Sequence, residues 1–165
     1  MALVSAGFRV AHVDAAKPNV DAARIAANLN GWAERPVRYL VDDAAKFTAR
    51  EVRRGRKYHT IVLDPPAYGH SPKGKAWRLE RDLWPLLNDC LKLLDPQSFR
   101  LLVTGHSQEV ERAEVERFLR QSAFLRHADT NSGLLLGSGR SQLEDSGGRT
   151  LDAGFYIRVE TKAAG

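Results

Sequence analysis

The sequence predicts an α/β three-layer sandwich whose sheet is mostly parallel with an antiparallel edge hairpin. Three observations carry that prediction. Short apolar, β-branched runs alternate with segments of helical periodicity; successive runs stop at acids; and after Phe124 the rhythm gives way to two late strands around a Gly/Ser-rich stretch. Strand–helix alternation implies right-handed crossovers between parallel strands, with helices on both faces of the sheet.

Phe8 to Val13 reads as a strand that ends at Asp14. Pro18 suits the first turn of a helix, where its missing N–H costs nothing. Ala22, Ile25, Ala26 and Leu29 then recur at helical spacing up to a stop at Asn30-Gly31. Val37 to Val41 is a second strand, ending at Asp42-Asp43 and followed by a helix over about Ala44 to Arg54. Tyr58 to Leu63 is almost wholly apolar, as a strand buried on both faces should be, and stops at Asp64-Pro65-Pro66. Leu79, Leu83, Leu86, Leu87, Cys90, Leu91 and Leu94 trace one face of a long helix. Phe99 to Thr104 makes a fourth strand and Val110 to Gln121 a further helix. The stretch Gly137 to Gly148 reads as a polar connection between a short strand and a final one over about Ala153 to Val159. The expected organisation is one domain over 1–160 with a frayed tail at 161–165.

Composition agrees with a single soluble core: 43% of the 165 residues are hydrophobic and 27% charged. No apolar run is long enough to span a bilayer and the first residues do not resemble a signal peptide, so no membrane partner and a cytoplasmic location are expected. Cys90 is the single cysteine, which excludes an intramolecular disulfide framework and any zinc-ligand spacing; no metal is expected. The net charge of +5 is compatible with an anionic partner such as RNA and says little alone.

In open parallel sheets, ligands bind outside the carboxyl ends of the strands. Asp14, Asp42-Asp43 and Asp64 sit at three such ends. Short carboxylates there can accept hydrogen bonds from a ligand with several donors, such as a ribose with two hydroxyls and an adenine amino group. The competing reading for Asp14 and Asp43 is that each caps the helix that follows. Asp64 is different, because the proline after it forces extended geometry and the second proline also lacks an N–H. The result is a stiff turn with free carbonyls.

Asp64-Pro65-Pro66-Ala67-Tyr68-Gly69, followed by Pro72-Lys73-Gly74 and Trp77-Arg78-Leu79-Glu80-Arg81-Asp82-Leu83, resembles the fourth-motif region of class I S-adenosylmethionine-dependent methyltransferases akin to the bacterial 23S rRNA cytosine methyltransferases. Val13-Asp14 with Ala27-Asn28, and Val41-Asp42-Asp43-Ala44 with Phe47, resemble the second- and third-strand regions of that family. The similarity runs from about residue 3 to residue 105, with a weaker echo at Gly154-Phe155-Tyr156. It implies a Rossmann-like methyltransferase sandwich. It further implies that Asp14 holds the ribose hydroxyls of S-adenosylmethionine and that Asp43, with Asp42 and Ala44, contacts the adenine. By the same resemblance Asp64, Pro65, Pro66 and Tyr68 line the pocket where the methyl acceptor meets the sulfonium.

Two departures accompany the resemblance. In the family a first strand and a glycine-containing loop precede the helix at which this sequence begins, so an N-terminally incomplete domain is expected. Amino-directed enzymes place an aromatic directly after the two prolines, whereas here Ala67 intervenes before Tyr68, which leaves carbon or another acceptor open.

Beside the presumed acceptor pocket, Lys73, Lys75 and Arg78 can grip RNA phosphates while Trp77 stacks on a base; alternatively Trp77 packs on the sheet edge and the lysines are solvated. Arg50, Arg53, Arg54, Arg56 and Lys57 form the densest basic cluster, expected to be a solvated face at a helix end. Cys90, on the apolar stripe, reads as a buried structural thiol rather than a nucleophile. His106 has no partner for a proton relay, and no general base is assigned. The leading expectation is methyl transfer to ribosomal RNA. The alternatives are a methyltransferase of a small molecule or protein, and a non-catalytic remnant that binds RNA or a partner.

Overall fold

The structure is a computed structural model that describes residues 2–69, 76–107 and 109–161. Contacts between residues divide it into two compact units, Met1–Glu51 and Val52–Gly165.

The first unit opens with the short helix α1 (Ala2–Ser5), then β1 (Val10–Asp14), α2 (Lys17–Leu29), β2 (Val37–Val41) and α3 (Ala44–Arg53), whose last residues pass into the second unit. The strands pair in parallel, with Val10 opposite Val37 and Asp14 opposite Val41. Pro18 stands in the first turn of α2, where no N–H is needed. The helix stops at Asn30, and Gly31 turns the chain with a φ of 71° that a side chain would resist.

The second unit holds β3 (Thr60–Leu63), the two-residue strands β4 (Tyr68–Gly69) and β5 (Trp77–Arg78), α4 (Leu79–Leu93), β6 (Arg100–Gly105), α5 (Arg112–Gln121), α6 (Ala123–Ser132), β7 (Leu134–Glu144) and β8 (Thr150–Thr161). Its main sheet has the order β3-β6-β8-β7. The β3–β6 ladder is parallel, and β8 joins β6 and β7 through antiparallel ladders, so the expected edge hairpin is present. The stripe Leu79, Leu83, Leu87 and Leu91 of α4 is buried against Leu101 and Val103 of β6, Val115 and Leu119 of α5, and Ile157 and Val159 of β8. Each such aliphatic side chain contributes about 1.5–3 kcal/mol through burial.

Three elements differ from expectation: β3 is shorter than Tyr58 to Leu63 and is not buried on both faces, with Val62 51% exposed, and β7 and α6 differ as follows. The segment 137–144 is the body of β7 rather than a polar connection, because its partner β8 fixes it in a ladder. Gly139 makes room there for the ring of Tyr156, which would lie 3.1 Å from an added β-carbon. The real turn is Asp145 to Arg149, where the Asp145 carboxylate accepts the backbone N–H groups of Gly147 and Arg149. Helix α6 was not expected at all. Ser122 starts it by accepting the Leu125 N–H at 3.2 Å, and its short sequence buries Leu125 and Ala128.

Candidate active site

In the first unit, the β1–β2 register sets Asp14 opposite Val41, and the Asp42 N–H donates to the Asp14 carbonyl at 3.0 Å. Asp14, Asp42 and Asp43 therefore share the carboxyl edge of one parallel pair. Asp14 accepts the Ala16 N–H at 2.7 Å and the Asn19 side-chain amide at 3.0 Å. Asp42 accepts the Asp43 N–H at 2.9 Å and pairs with the Arg50 guanidinium. Asp43 accepts the Lys46 N–H at 3.0 Å and so caps α3, while Ala44 opens the helix. Capping and ligand binding do not exclude one another here, since each carboxylate oxygen has two lone pairs. Arg50 thus leaves the solvated basic cluster for an ion pair, and Lys57 donates to the Lys92 carbonyl at 2.7 Å.

In the second unit, the Asp64-Pro65-Pro66 turn leaves the carboxyl end of β3 and is held at four points. Thr104 Oγ1 donates to Asp64 Oδ1 at 2.6 Å. The Trp77 indole N–H donates to the Pro66 carbonyl at 2.8 Å, and the Leu79 N–H donates to the Ala67 carbonyl at 3.1 Å. Tyr68 donates its hydroxyl hydrogen to Glu109 Oε1 at 3.2 Å. The β4–β5 ladder, Tyr68 opposite Arg78 and Gly69 opposite Trp77, closes the two ends of the intervening segment. Asp64 and Tyr68 are exposed. The Glu109 carboxylate holds the Tyr68 phenol above its ordinary pKa, because a nearby anion and hydrogen-bond acceptor favours the neutral hydroxyl.

Trp77 is half-buried against the core cluster, and Arg78 starts α4, where its N–H donates to the Asp82 carboxylate at 2.8 Å. Lys73 and Lys75 lie outside the described residues. Thr104 and Glu109 escaped the sequence reading. A threonine near a strand's end and a glutamate before a helix carry no signal until the β3–β6 register is known. Beside them a cleft of about 460 Å³ is lined by Gly105, His106, Arg112, Arg140 and Asp152 among others. There the Gly154 N–H, followed by Arg140, keeps the Asp152 carboxyl below its ordinary pKa. Cys90 is buried, and desolvation pushes its thiol up to about 12, which leaves no thiolate for nucleophilic work at neutral pH. Among the described residues no cluster of His, Cys, Asp or Glu is arranged to hold a metal ion, and no helix is long and apolar enough to cross a membrane.

The parallel pairs and the antiparallel hairpin define a fold class. The fold is the Rossmann-like fold of class I S-adenosylmethionine-dependent methyltransferases. The chain is 32% identical, over 78 residues, to the ribosomal RNA large subunit methyltransferase K/L of Methylococcus capsulatus, a match that covers 47% of this chain and 11% of that protein. A solved S-adenosylmethionine-dependent methyltransferase from Agrobacterium tumefaciens superposes with a TM-score of 0.82 at 30% identity, over 96% of this chain and 51% of that one. An O-methyltransferase from Bacillus cereus, solved with S-adenosylhomocysteine, shares the fold with a TM-score of 0.52 at 14% identity, over 94% of this chain and 64% of its own. No family model matches the sequence. The chain spans about half the length of its Agrobacterium relative and about a tenth of its Methylococcus relative.

Proposed function

We propose that this chain is the body of an S-adenosylmethionine-dependent methyltransferase domain that acts on ribosomal RNA in the cytoplasm. The observation that carries this reading is the Asp64-Pro65-Pro66 turn, tied by Thr104 and Trp77 at a strand's carboxyl end, on a fold that matches a methyltransferase over 96% of this chain. The likeness to a ribosomal RNA methyltransferase supports RNA as the acceptor.

The residues present suit the nucleoside end of S-adenosylmethionine. Asp14 retains accepting capacity for two ribose hydroxyls, and Asp42, Asp43 and the backbone at Ala44 offer the polar edge that an adenine needs. When bound, the cofactor supplies an electrophilic methyl group on a sulfonium. The chain's own task is alignment of the acceptor with that methyl, which is the main catalytic contribution open to a displacement of this kind. Asp64 accepts a hydrogen bond from the acceptor, Pro65 and Pro66 keep the turn from relaxing, and Tyr68 places its ring against the base. Arg78, with Lys73 and Lys75, meets the RNA backbone, and Trp77 supports the turn that these residues flank.

Calorimetric titration with S-adenosylmethionine tests the cofactor half. Asp14→Ala and Asp43→Ala are expected to weaken binding at least tenfold in chains whose circular dichroism shows them folded, a control needed because loss of the α3 cap costs about 1 kcal/mol. Unchanged affinity in both variants would sink the assignment.

A further inference from the structure

The β6 strand is laddered on both sides, to β3 through Leu63 and Val103 and to β8 through Thr104 and Tyr156. Thr104 thus follows a residue paired on both sides and is itself held against Tyr156 of β8, and its β-branched side chain has few rotamers to choose from. Asp64 is the reverse case. It follows the last ladder residue of β3, which among the described residues is paired on one side only, and it precedes a proline that cannot donate to a ladder. Its carboxylate is exposed, and among the described residues one tie is recorded for it, the 2.6 Å bond from Thr104 Oγ1 to Oδ1. That length is the one expected of a hydroxyl donating to an ionised carboxylate.

We infer that Thr104 is a positioning residue for methyl transfer: its hydroxyl occupies Oδ1 of Asp64 and thereby turns Oδ2 towards the acceptor's hydrogen-bond donor. This rests on the acceptor role given to Asp64 above. A laddered strand supplies the fixed point, and the rotatable side chain of Asp64 supplies the reacting-side group. Without the hydroxyl, Asp64 samples several rotamers, and the fraction of bound acceptors in attacking geometry falls. The loss is therefore expected in kcat and not in cofactor affinity.

The test uses Thr104→Val, which keeps the shape and removes the donor, Thr104→Ser, which keeps the donor, and Asp64→Asn. Methyl transfer to unmodified ribosomal RNA is expected to slow about tenfold in T104V, with unchanged affinity for S-adenosylmethionine, and to stay within about threefold of wild type in T104S. Independently of turnover, the Asp64 β-proton couplings in NMR should report one rotamer in wild type and T104S and an average in T104V. A single Asp64 rotamer in T104V, or T104S as slow as T104V, overturns the inference. Wild-type turnover in T104V beside a slow D64N overturns the role of Thr104 alone, whereas wild-type turnover in D64N overturns the acceptor reading itself.

Discussion

Gly154 passes so close to the end of β6 that a β-carbon on it would stand 2.1 Å from the Gly105 carbonyl oxygen and 2.6 Å from the His106 Cα. Its φ of 84° is a second reason for glycine at this position. The contact seats the hairpin's inner strand against the segment that carries Thr104 and Glu109. Gly154→Ala must therefore move backbone against backbone, and it should destabilise the chain by about 2–4 kcal/mol in urea titrations. A loss below about 1 kcal/mol would mean that β8 does not approach β6 in this way.

Tyr68 and Glu109 predict a spectroscopic result. The carboxylate favours the neutral phenol, so Glu109→Gln should bring the Tyr68 ionisation down towards the ordinary tyrosine value. Absorbance at the phenolate band, read as the difference between wild type, E109Q and Tyr68→Phe, isolates this one tyrosine. An ionisation unmoved by E109Q would show that the hydrogen bond does not persist in solution.

Cys90 should be inert. Buried on α4 with its thiol pushed up to about 12, it should react with iodoacetamide only after the chain unfolds in denaturant. Replacement by Ala should leave methyl transfer within about twofold of wild type, since no step requires a thiolate. Rapid alkylation of the native chain would contradict the packing of the leucine stripe.

Glu116 gives the pH dependence a direction. The Arg120 guanidinium, then the Ser138 hydroxyl, lowers its carboxyl below the ordinary value of 4.5. A folded-state pKa below the unfolded one stabilises above the unfolded value, and that stabilisation is lost as pH falls through the folded value. Wild type should therefore exceed Glu116→Gln in stability at pH 7, and the gap should narrow as the pH is taken down to about 3. A gap of equal size at both pH values would show that packing, rather than charge, links α5 to β7 at Ser138.

The acids that mark the candidate site were legible as strand-end residues because a short carboxylate after an apolar run stands out in a linear pattern. Asp14 and Asp43 proved to do the structural work of holding a turn and capping a helix, which leaves their second use to be tested by binding. The partners of Asp64 and Tyr68 were not legible. Thr104 lies 40 residues from Asp64, and Glu109 lies 41 from Tyr68, so only strand register brings either pair together.

By itself the sequence determined the α/β class, the leucine stripe of α4 and the stiff turn after β3, because hydrophobic period and proline geometry are local properties. The tertiary structure decided what local pattern leaves open. It made the Gly/Ser-rich stretch a strand, since β8 supplies a ladder and Tyr156 fills the space over Gly139. It also turned Trp77 inward to hold the Pro66 carbonyl. In both cases the deciding term is a hydrogen bond or a packed ring that strand register brings into place, and hydrophobic period does not encode register.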